Sequence, residues 1–290
     1  MLVSMKEMLL DADKKGYAVG CFNAIDLTMT RGVIEAAEAE NAPVILCHAE
    51  VHFKYTPLAK LAPILVEEAK SAKVPVAVLL DHGKDFNAIM QAMHLGFNAV
   101  MFDGSHLEEN ENIRQTAEIV RIAHALGVTV EAELGQVARP KSGGADGTDD
   151  DNIIFDTSGY TDPKQTKAFI EKTGADCLAA AFGTVHGVYL AEPKLDIQRL
   201  KEIRKQCSVP VVMHGGSGLS EEDYKASIRN GVSKINYYTN MALQCAKDVE
   251  QKMRAHKENV FYHTIMMWSI ESIAANVQKA IQMFGSSHKA

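Results

Sequence analysis

Eight short apolar runs, each followed by a stretch with helical periodicity, constrain the fold of this 290-residue chain more than any other feature. Their apolar residues are continuous rather than alternating, which is typical of parallel strands that are buried on both faces. The runs span residues 18–22, 43–48, 76–80, 99–102, 128–132, 177–181, 209–213 and 233–236. The helical stretches span residues 31–40, 58–71, 85–93, 111–125, 164–172, 197–206 and 221–229.

This alternation, in units of roughly 30 residues, predicts an α/β fold of the (β/α)8 TIM-barrel type. A doubly wound open sheet shares the alternation, but no G-x-G-x-x-G sequence follows the first run. No segment has the composition of a linker, so residues 1–290 are predicted to form a single domain. A Pro-, Gly- and Asp-rich stretch within residues 139–160 is predicted to be a mobile active-site loop. Residues 270–284 are predicted to be a C-terminal helix that packs through an apolar face.

Composition and charge argue against several classes of protein. Hydrophobic residues make up 47% and charged residues 23% of the chain, which is a globular composition. The net charge of −7 argues against nucleic-acid binding, because contacts with phosphate backbones need a surplus of Lys and Arg. Five cysteines without a C-x-x-C pair favour a reducing compartment, and no secretory signal or membrane-length apolar segment is present. We therefore expect a cytoplasmic protein with no nucleic-acid or membrane partner.

Three histidines follow three different apolar runs, at the end of the strand where a barrel places its active site. They are His82, His186 and His214, and each is directly followed by glycine. A single histidine at a strand end is usually structural, but three that converge on one barrel mouth fit a zinc or similar divalent site. Three protein ligands leave coordination positions open, which favours a catalytic metal. The remaining histidines lack this context and are interpreted as structural or surface residues.

Glycine-rich strand ends beside these histidines predict an anion site. Glycine lets backbone N–H groups approach an anion closely, and many barrels hold a phosphate in the loops after strands seven and eight. Such glycines can also simply turn the chain, but the adjacent metal-ligand candidates favour the anion. The residues predicted from this pattern are Gly187, Gly215, Gly216, Ser217, Asn236 and Thr239.

Nine segments, in order along nearly the whole chain, match one known family. They are CFNAID (21–26), LLDHGKDF (79–86), MFDGSHLEENENI (101–113), VEAELG (130–135), FGTVHGVY (182–189), PKLD (193–196), MHGGSG (213–218), KINYYT (234–239) and MFGSS (283–287). In these segments the sequence resembles the class II, metal-dependent ketose-bisphosphate aldolases, which include fructose- and tagatose-1,6-bisphosphate aldolases.

The resemblance implies roles for individual residues. His82, His186 and His214 would be the zinc ligands. Asp81 would be the acid/base that handles the proton of the C4 hydroxyl group. The outer carboxylates, which can meet the metal in an alternative position, would be those of Asp103 and Glu133. The substrate and its C1 phosphate, beside a monovalent cation such as Na⁺ or K⁺, would be bound by Asn23, Gly187, Lys194, Gly215, Gly216, Ser217, Asn236 and Thr239.

The implied activity is that of a zinc-dependent aldehyde-lyase of carbohydrate metabolism and glycolysis, active as a homodimer or homotetramer. It would reversibly cleave a phosphorylated ketose, such as fructose or tagatose 1,6-bisphosphate, into dihydroxyacetone phosphate and an aldehyde. The residue types suit this chemistry, because a divalent metal stabilises the enediolate left when the C3–C4 bond breaks. Asp81 adjoins a metal ligand and can take up the C4 hydroxyl proton. The phosphate would be met locally, so the net negative charge of the chain does not oppose it.

The loop after the fifth strand departs from the family pattern. The family usually has two glycines and a glutamate before Asp-Gly, and this glutamate is thought to move the C3 proton. Residues 143–147 read Gly-Gly-Ala-Asp-Gly, so the glutamate has no clear counterpart. The candidates to replace it are Asp146, Asp149, Glu131 and Glu133.

Three further departures concern the substrate. Ala49 stands where the family often has serine, Tyr237 and Tyr238 occupy a position that often carries aspartate, and no arginine follows Arg254. An aldolase for a ketose 1-phosphate, or for another sugar that lacks the C6 phosphate, is therefore an alternative. A metal-dependent barrel hydrolase is another, although such sites often have a His-x-His pair after the first strand, which is missing here. A non-catalytic barrel subunit of a lyase is the third.

Overall fold

Eight parallel strands close into a barrel in the computed structural model, which describes residues 1–138, 157–189 and 193–290. The strands are β1 (Val19–Asn23), β2 (Val44–Ala49), β3 (Val76–Gly83), β4 (Ala99–Phe102), β5 (Thr129–Leu134), β6 (Cys177–Ala180), β7 (Val211–Met213) and β8 (Val232–Tyr237). Each strand pairs with its neighbours in chain order, and β8 closes the barrel on β1. The predicted single-domain (β/α)8 barrel is confirmed, and every predicted run overlaps one strand.

Ten α-helices lie in the described part of the chain. They are α1 (Met5–Lys15), α2 (Leu27–Glu40), α3 (Leu58–Ser71), α4 (Phe86–His94), α5 (Glu109–Ala125), α6 (Pro163–Thr173), α7 (Ile197–Gln206), α8 (Glu221–Arg229), α9 (Thr239–Ala255) and α10 (Tyr262–Phe284). Short 3₁₀ helices span Glu50–Lys54 and Thr157–Gly159. The sequence pattern does not predict α1 or α9, and α10 begins eight residues earlier than expected. In α9 the buried residues are Thr239 and Met241. The helix also carries apolar residues at helical spacing, at Ala242, Cys245, Val249 and Met253, so a signal for it was present in the sequence.

The predicted loop at residues 139–160 lies mostly outside the described residues. Its described part ends in the 3₁₀ turn at Thr157–Gly159, followed by Tyr160. None of the described helices is both long enough and apolar enough to cross a bilayer.

Inward-facing side chains fill the barrel and change character along its axis. In a strand every second residue faces the same side, so the inward positions of β3 are Ala77, Leu79 and Asp81. The lower inward positions are apolar, and α1 packs against them with Met5 and Leu9. At the carboxyl ends the inward positions become polar, with buried side chains from six strand ends: Asn23, Asp81, Asp103, Glu133, His214 and Asn236. This end of the barrel is therefore the polar end.

The apolar face that the sequence predicts for the C-terminal helix is buried in the structure. Ile273, Val277, Ile281 and Phe284 are 0–1% exposed, and α10 lies along α2. The two helices approach closely because α2 contains Gly32. A Cβ atom at this position would lie 2.6 Å from Cγ2 of Ile273.

Replacing Gly32 with valine should therefore destabilise the barrel. The added side chain has to displace Ile273, and overpacking of this kind costs about 1–3 kcal/mol. We expect a lower midpoint in thermal or urea unfolding. Glu35→Ala, on the exposed face of the same helix, is the matched control and should change stability little. An unchanged midpoint for Gly32→Val would contradict the close contact.

Candidate active site

Three imidazoles meet at the carboxyl end of the barrel. One ring nitrogen each of His82, His186 and His214 lies within 4.8 Å of the other two, and Nε2 of His82 is 3.1 Å from Nε2 of His186. Two nitrogens bound to one tetrahedral zinc, each at about 2.0–2.1 Å from the ion, are about 3.3 Å apart. The donor set and the spacing of the first pair thus fit a divalent metal. The structure thus brings together the three histidines that the sequence pattern singled out.

A break in the regular strand lets two consecutive residues face this site. Adjacent side chains in a strand point to opposite faces, yet Asp81 and His82 both line the same cavity. His82 adopts a left-handed backbone conformation with φ 46°, and the pairing of β3 with β4 shifts register between Leu80 and Gly83. Gly83 is required here because a Cβ atom would lie 2.8 Å from the carbonyl oxygen of Met101.

Carboxylates orient two of the histidine rings from behind. Nδ1 of His82 donates to Asp103 at 3.0 Å and lies 3.8 Å from Oε2 of Glu133. Nε2 of His214 donates to Oε1 of Glu131 at 2.7 Å. Such bonds fix the tautomer and direction of a metal-binding imidazole. His82, Asp103 and Glu133 also form a second cluster within 4.8 Å, which suits the predicted alternative metal position.

Asp81 is held by two amide side chains. Nδ2 of Asn23 donates to Oδ2 at 2.8 Å, and Nδ2 of Asn236 donates to Oδ1 at 3.0 Å. Oδ1 of Asn23 in turn accepts from the backbone N–H of Ala49 at 3.0 Å. Burial alone would raise the pKa of Asp81, but nearby positive charge, chiefly on His82, lowers it below its ordinary value. Asp81 is therefore an oriented, ionised carboxylate at neutral pH.

The histidines differ in protonation when no metal is bound. Burial opposes a charge on His82, but Asp81, Asp103 and Glu133 outweigh it and raise the pKa of His82 to about 9. Burial, together with the charges on His82 and Lys234, lowers the pKa of His214 well below its ordinary value. In the metal-free protein His82 carries a proton at neutral pH and His214 does not.

A cavity of about 310 Å³ opens above these groups. Most of the predicted site residues line it: Asn23, Asp81, His82, His186, Gly187, Gly215, Ser217, Asn236 and Thr239. His214, Asp103 and Glu133 are buried behind this lining, and they contribute from below. Lys194 does not line the cavity. The carbonyl of Gly216 accepts a bond from the Tyr224 hydroxyl.

Sequence reasoning missed several residues at the site. His52, interpreted as structural or surface, lines the cavity with its ring 4.8 Å from that of Tyr238. Lys84 also lines the cavity, with Nζ 3.9 Å from Oδ2 of Asp103. Tyr189 ties two glycine-rich loops together, because its hydroxyl donates to the carbonyl of Gly215 at 2.7 Å and accepts from the N–H of Val185 at 3.1 Å. Of these, Tyr189 and Lys84 had a signal, because each is part of a matching segment, whereas His52 had none.

Of the four candidates to replace the loop glutamate, two lie in the part of the chain that the structure describes. Asp146 and Asp149 lie outside the described residues. Glu131 is fully buried and does not line the cavity. Glu133 lies next to the histidine cluster, with Oε1 accepting from the N–H of Val137 at 3.2 Å.

Metal binding should release a proton from His82. A raised pKa means that His82 is protonated below about 9, and a proton on the ring competes with the metal. The metal affinity of the metal-free protein should therefore rise about tenfold per pH unit between about pH 6.5 and 8.5, and level off near pH 9. Competition with a chelator of known affinity measures this. Asp103→Asn removes a group that raises this pKa, so its plateau should begin at lower pH. An affinity that does not change with pH would contradict the assignment.

Comparison with known proteins agrees with this site. The family model described as fructose-bisphosphate aldolase class-II matches residues 3–289. The chain is 41% identical, over all of its length and 99% of the relative's, to a Bacillus subtilis protein named "Probable fructose-bisphosphate aldolase", and 39% identical over the same shares to the fructose-bisphosphate aldolase of Staphylococcus aureus.

A solved structure agrees as well. The YdjI aldolase from Escherichia coli K12 superposes with a TM-score of 0.87 at 34% identity, and all of both chains is covered. Class II aldolases are metal-dependent aldehyde-lyases, and zinc is their usual metal. The resemblance seen in the sequence is confirmed: the chain belongs to the class II fructose-bisphosphate aldolase family.

Proposed function

We propose that this chain binds a divalent metal, zinc by preference, through His82, His186 and His214, and reversibly cleaves a ketose phosphate into dihydroxyacetone phosphate and an aldehyde. The observation that carries the proposal is the position of Asp81. An ionised carboxylate, fixed by two amides, lies directly beside three converging imidazoles in a cavity wall. This pairing of a base with a metal site is what the aldol cleavage needs.

The bound metal would supply a Lewis acid for the negative charge that develops when the C3–C4 bond breaks. Asp81 would accept the C4 hydroxyl proton in cleavage and return it in condensation. Each of its oxygens already accepts one amide hydrogen bond, and each keeps capacity for another. Asn23 and Asn236 therefore orient the base without blocking it.

The C1 phosphate would lie against Gly187, Gly215 and Ser217, where the loops after β6 and β7 border the cavity. Helix α9 begins at Thr239 in the same wall, and its N-terminus has no side-chain cap. The exposed N–H groups of a helix N-terminus attract anions. A monovalent cation, Na⁺ or K⁺, would share the phosphate. Lys194 does not line the cavity, so we do not assign it a direct contact with the phosphate.

The far end of the cavity favours a second candidate substrate, a ketose with a phosphate at C1 alone. Among the described lining residues, Lys84 is the one lysine or arginine, and its Nζ is 3.9 Å from the Asp103 carboxylate. A single, already paired point charge is a poor clamp for a second phosphate, which arginine would bind in bidentate fashion. His52, Tyr238 and Ala49 make up much of the remaining wall.

Asp81→Asn should separate the chemistry from metal binding. An amide keeps the shape of the side chain but cannot accept the proton, so kcat should fall by about 100-fold or more. Metal content, measured by atomic emission, should stay at the wild-type value. Asp85→Asn is the matched control, because Asp85 caps α4 outside the cavity and asparagine also caps helices well. Wild-type kcat in Asp81→Asn would rule out the proposed base.

A substrate series tests the far end. We expect kcat/KM for ketose 1-phosphates to lie within about tenfold of that for fructose or tagatose 1,6-bisphosphate, since one point charge distinguishes them weakly. Coupled assay of dihydroxyacetone phosphate measures each rate. A preference for fructose 1,6-bisphosphate of about 1,000-fold would defeat the second candidate.

Chelation should abolish all of these activities and divalent metal should restore them. If the metal-loaded chain cleaves no ketose phosphate, the proposed activity is ruled out.

A further inference from the structure

A complete ion pair lies inside the barrel, one layer beneath the site. Nζ of Lys234 is 2.9 Å from Oε2 of Glu131, and both side chains are 0% exposed. Branched apolar side chains dominate such inner layers in TIM barrels. Here the strand partners of Glu131 at the same level are Met101 and Cys177, which are apolar or nearly so.

Stability does not account for this pair. Taking two charges out of water is costly, and replacing a buried ion pair with well-packed apolar residues is often neutral or stabilising. The other contacts of the two groups give a better reason. Glu131 places its second oxygen 2.7 Å from Nε2 of His214, and Lys234 also donates to Oδ1 of Asn236 at 2.6 Å. One end of the pair thus leads to a metal-ligand candidate and the other leads to the base.

Lys234 determines which way the Asn236 amide faces. An ammonium group has donors and no acceptor, so it can bond only to Oδ1 of the amide. Nδ2 is then directed to Oδ1 of Asp81, 3.0 Å away. With the amide reversed, its oxygen would face the carboxylate and the hydrogen bond to Asp81 would be lost.

Glu131 determines the tautomer of His214. A carboxylate accepts only, so the ring hydrogen lies on Nε2 and Nδ1 keeps its lone pair. A second contact agrees with this, because the donor Nδ2 of Asn236 lies 3.3 Å from Nδ1. Nδ1 is the nitrogen that remains available to a metal.

We propose that Glu131 and Lys234 are positioning residues, and that this one buried pair sets both the metal-binding tautomer of His214 and the orientation of the Asn236 amide on Asp81. The second half rests on the proposed function, because it concerns the base in catalysis. The first half concerns metal binding and stands apart from any substrate.

The test replaces both charges at once. Removing one partner would leave a buried, unpaired charge, whereas the double variant Glu131→Met/Lys234→Met keeps the volume and leaves none. We expect its thermal midpoint to equal or exceed that of the wild type. Its metal dissociation constant should rise about 10–100-fold, as for other residues that orient metal ligands. At saturating metal, kcat should fall at least about tenfold, with KM for the C1-phosphorylated substrate within about twofold.

A purely structural pair would give a different result. Wild-type metal affinity and wild-type kcat in a folded double variant would overturn the proposal. Glu131→Gln/Lys234→Gln retains hydrogen-bonding groups at both positions, and it should recover most of the metal affinity. If the methionine variant does not fold, the ring nitrogens of His214 carry the test: ¹⁵N NMR of the metal-free wild type should place the ring hydrogen on Nε2, and a hydrogen on Nδ1 overturns the proposal. If wild-type enzyme cleaves no ketose phosphate, the proposed function fails while the metal-affinity result still decides the role of Glu131.

Discussion

Every inward position of a closed barrel has to be filled by a side chain, and the rest of this structure depends on how eight strands meet that demand. Because residues two apart face the same side, each strand supplies a short inward column. The columns are apolar at the end covered by α1 and polar at the carboxyl end, where six strand ends contribute buried polar groups. The active-site candidates are thus the upper part of the same packing that holds the barrel together.

Electrostatics inside the barrel also explain why a divalent cation suits this site. Four acidic side chains lie in or beneath it, from Asp81, Asp103, Glu131 and Glu133, and one buried lysine faces them. In the metal-free protein the proton on His82 offsets part of the excess negative charge. A divalent ion would displace that proton and offset more of the negative charge. The net charge of the whole chain says nothing about this balance, because solvent screens surface charges and not these.

Much of the fold and of the site could be predicted because both follow from local rules. The runs in β3 and β4 are apolar enough to be recognised without a structure, and His82, His186 and His214 lie within a few residues of the ends of three apolar runs. Contacts between residues far apart in the chain could not be predicted. Glu131 looked like a substitute catalytic acid until Lys234, a hundred residues later, was seen beside it. His52 comes from a 3₁₀ turn with no periodic signal, whereas α9 has apolar residues at helical spacing and could have been predicted.

The left-handed backbone of His82 lets two consecutive side chains, those of Asp81 and His82, enter the same cavity. Asp81, the proposed base, and His82, a metal-ligand candidate, are joined by a single peptide unit. Their Cα atoms are therefore about 3.8 Å apart, independently of the rest of the fold. Bond-breaking in an aldol cleavage likewise spans adjacent carbons of the sugar. The spacing between the proposed base and this metal-ligand candidate is therefore fixed by covalent bonds. The far wall of the cavity, around His52 and Tyr238, is instead built from separate segments. Under the proposed function, substitutions in that wall would change which aldehyde is accepted and would leave the spacing of base and metal ligand unchanged.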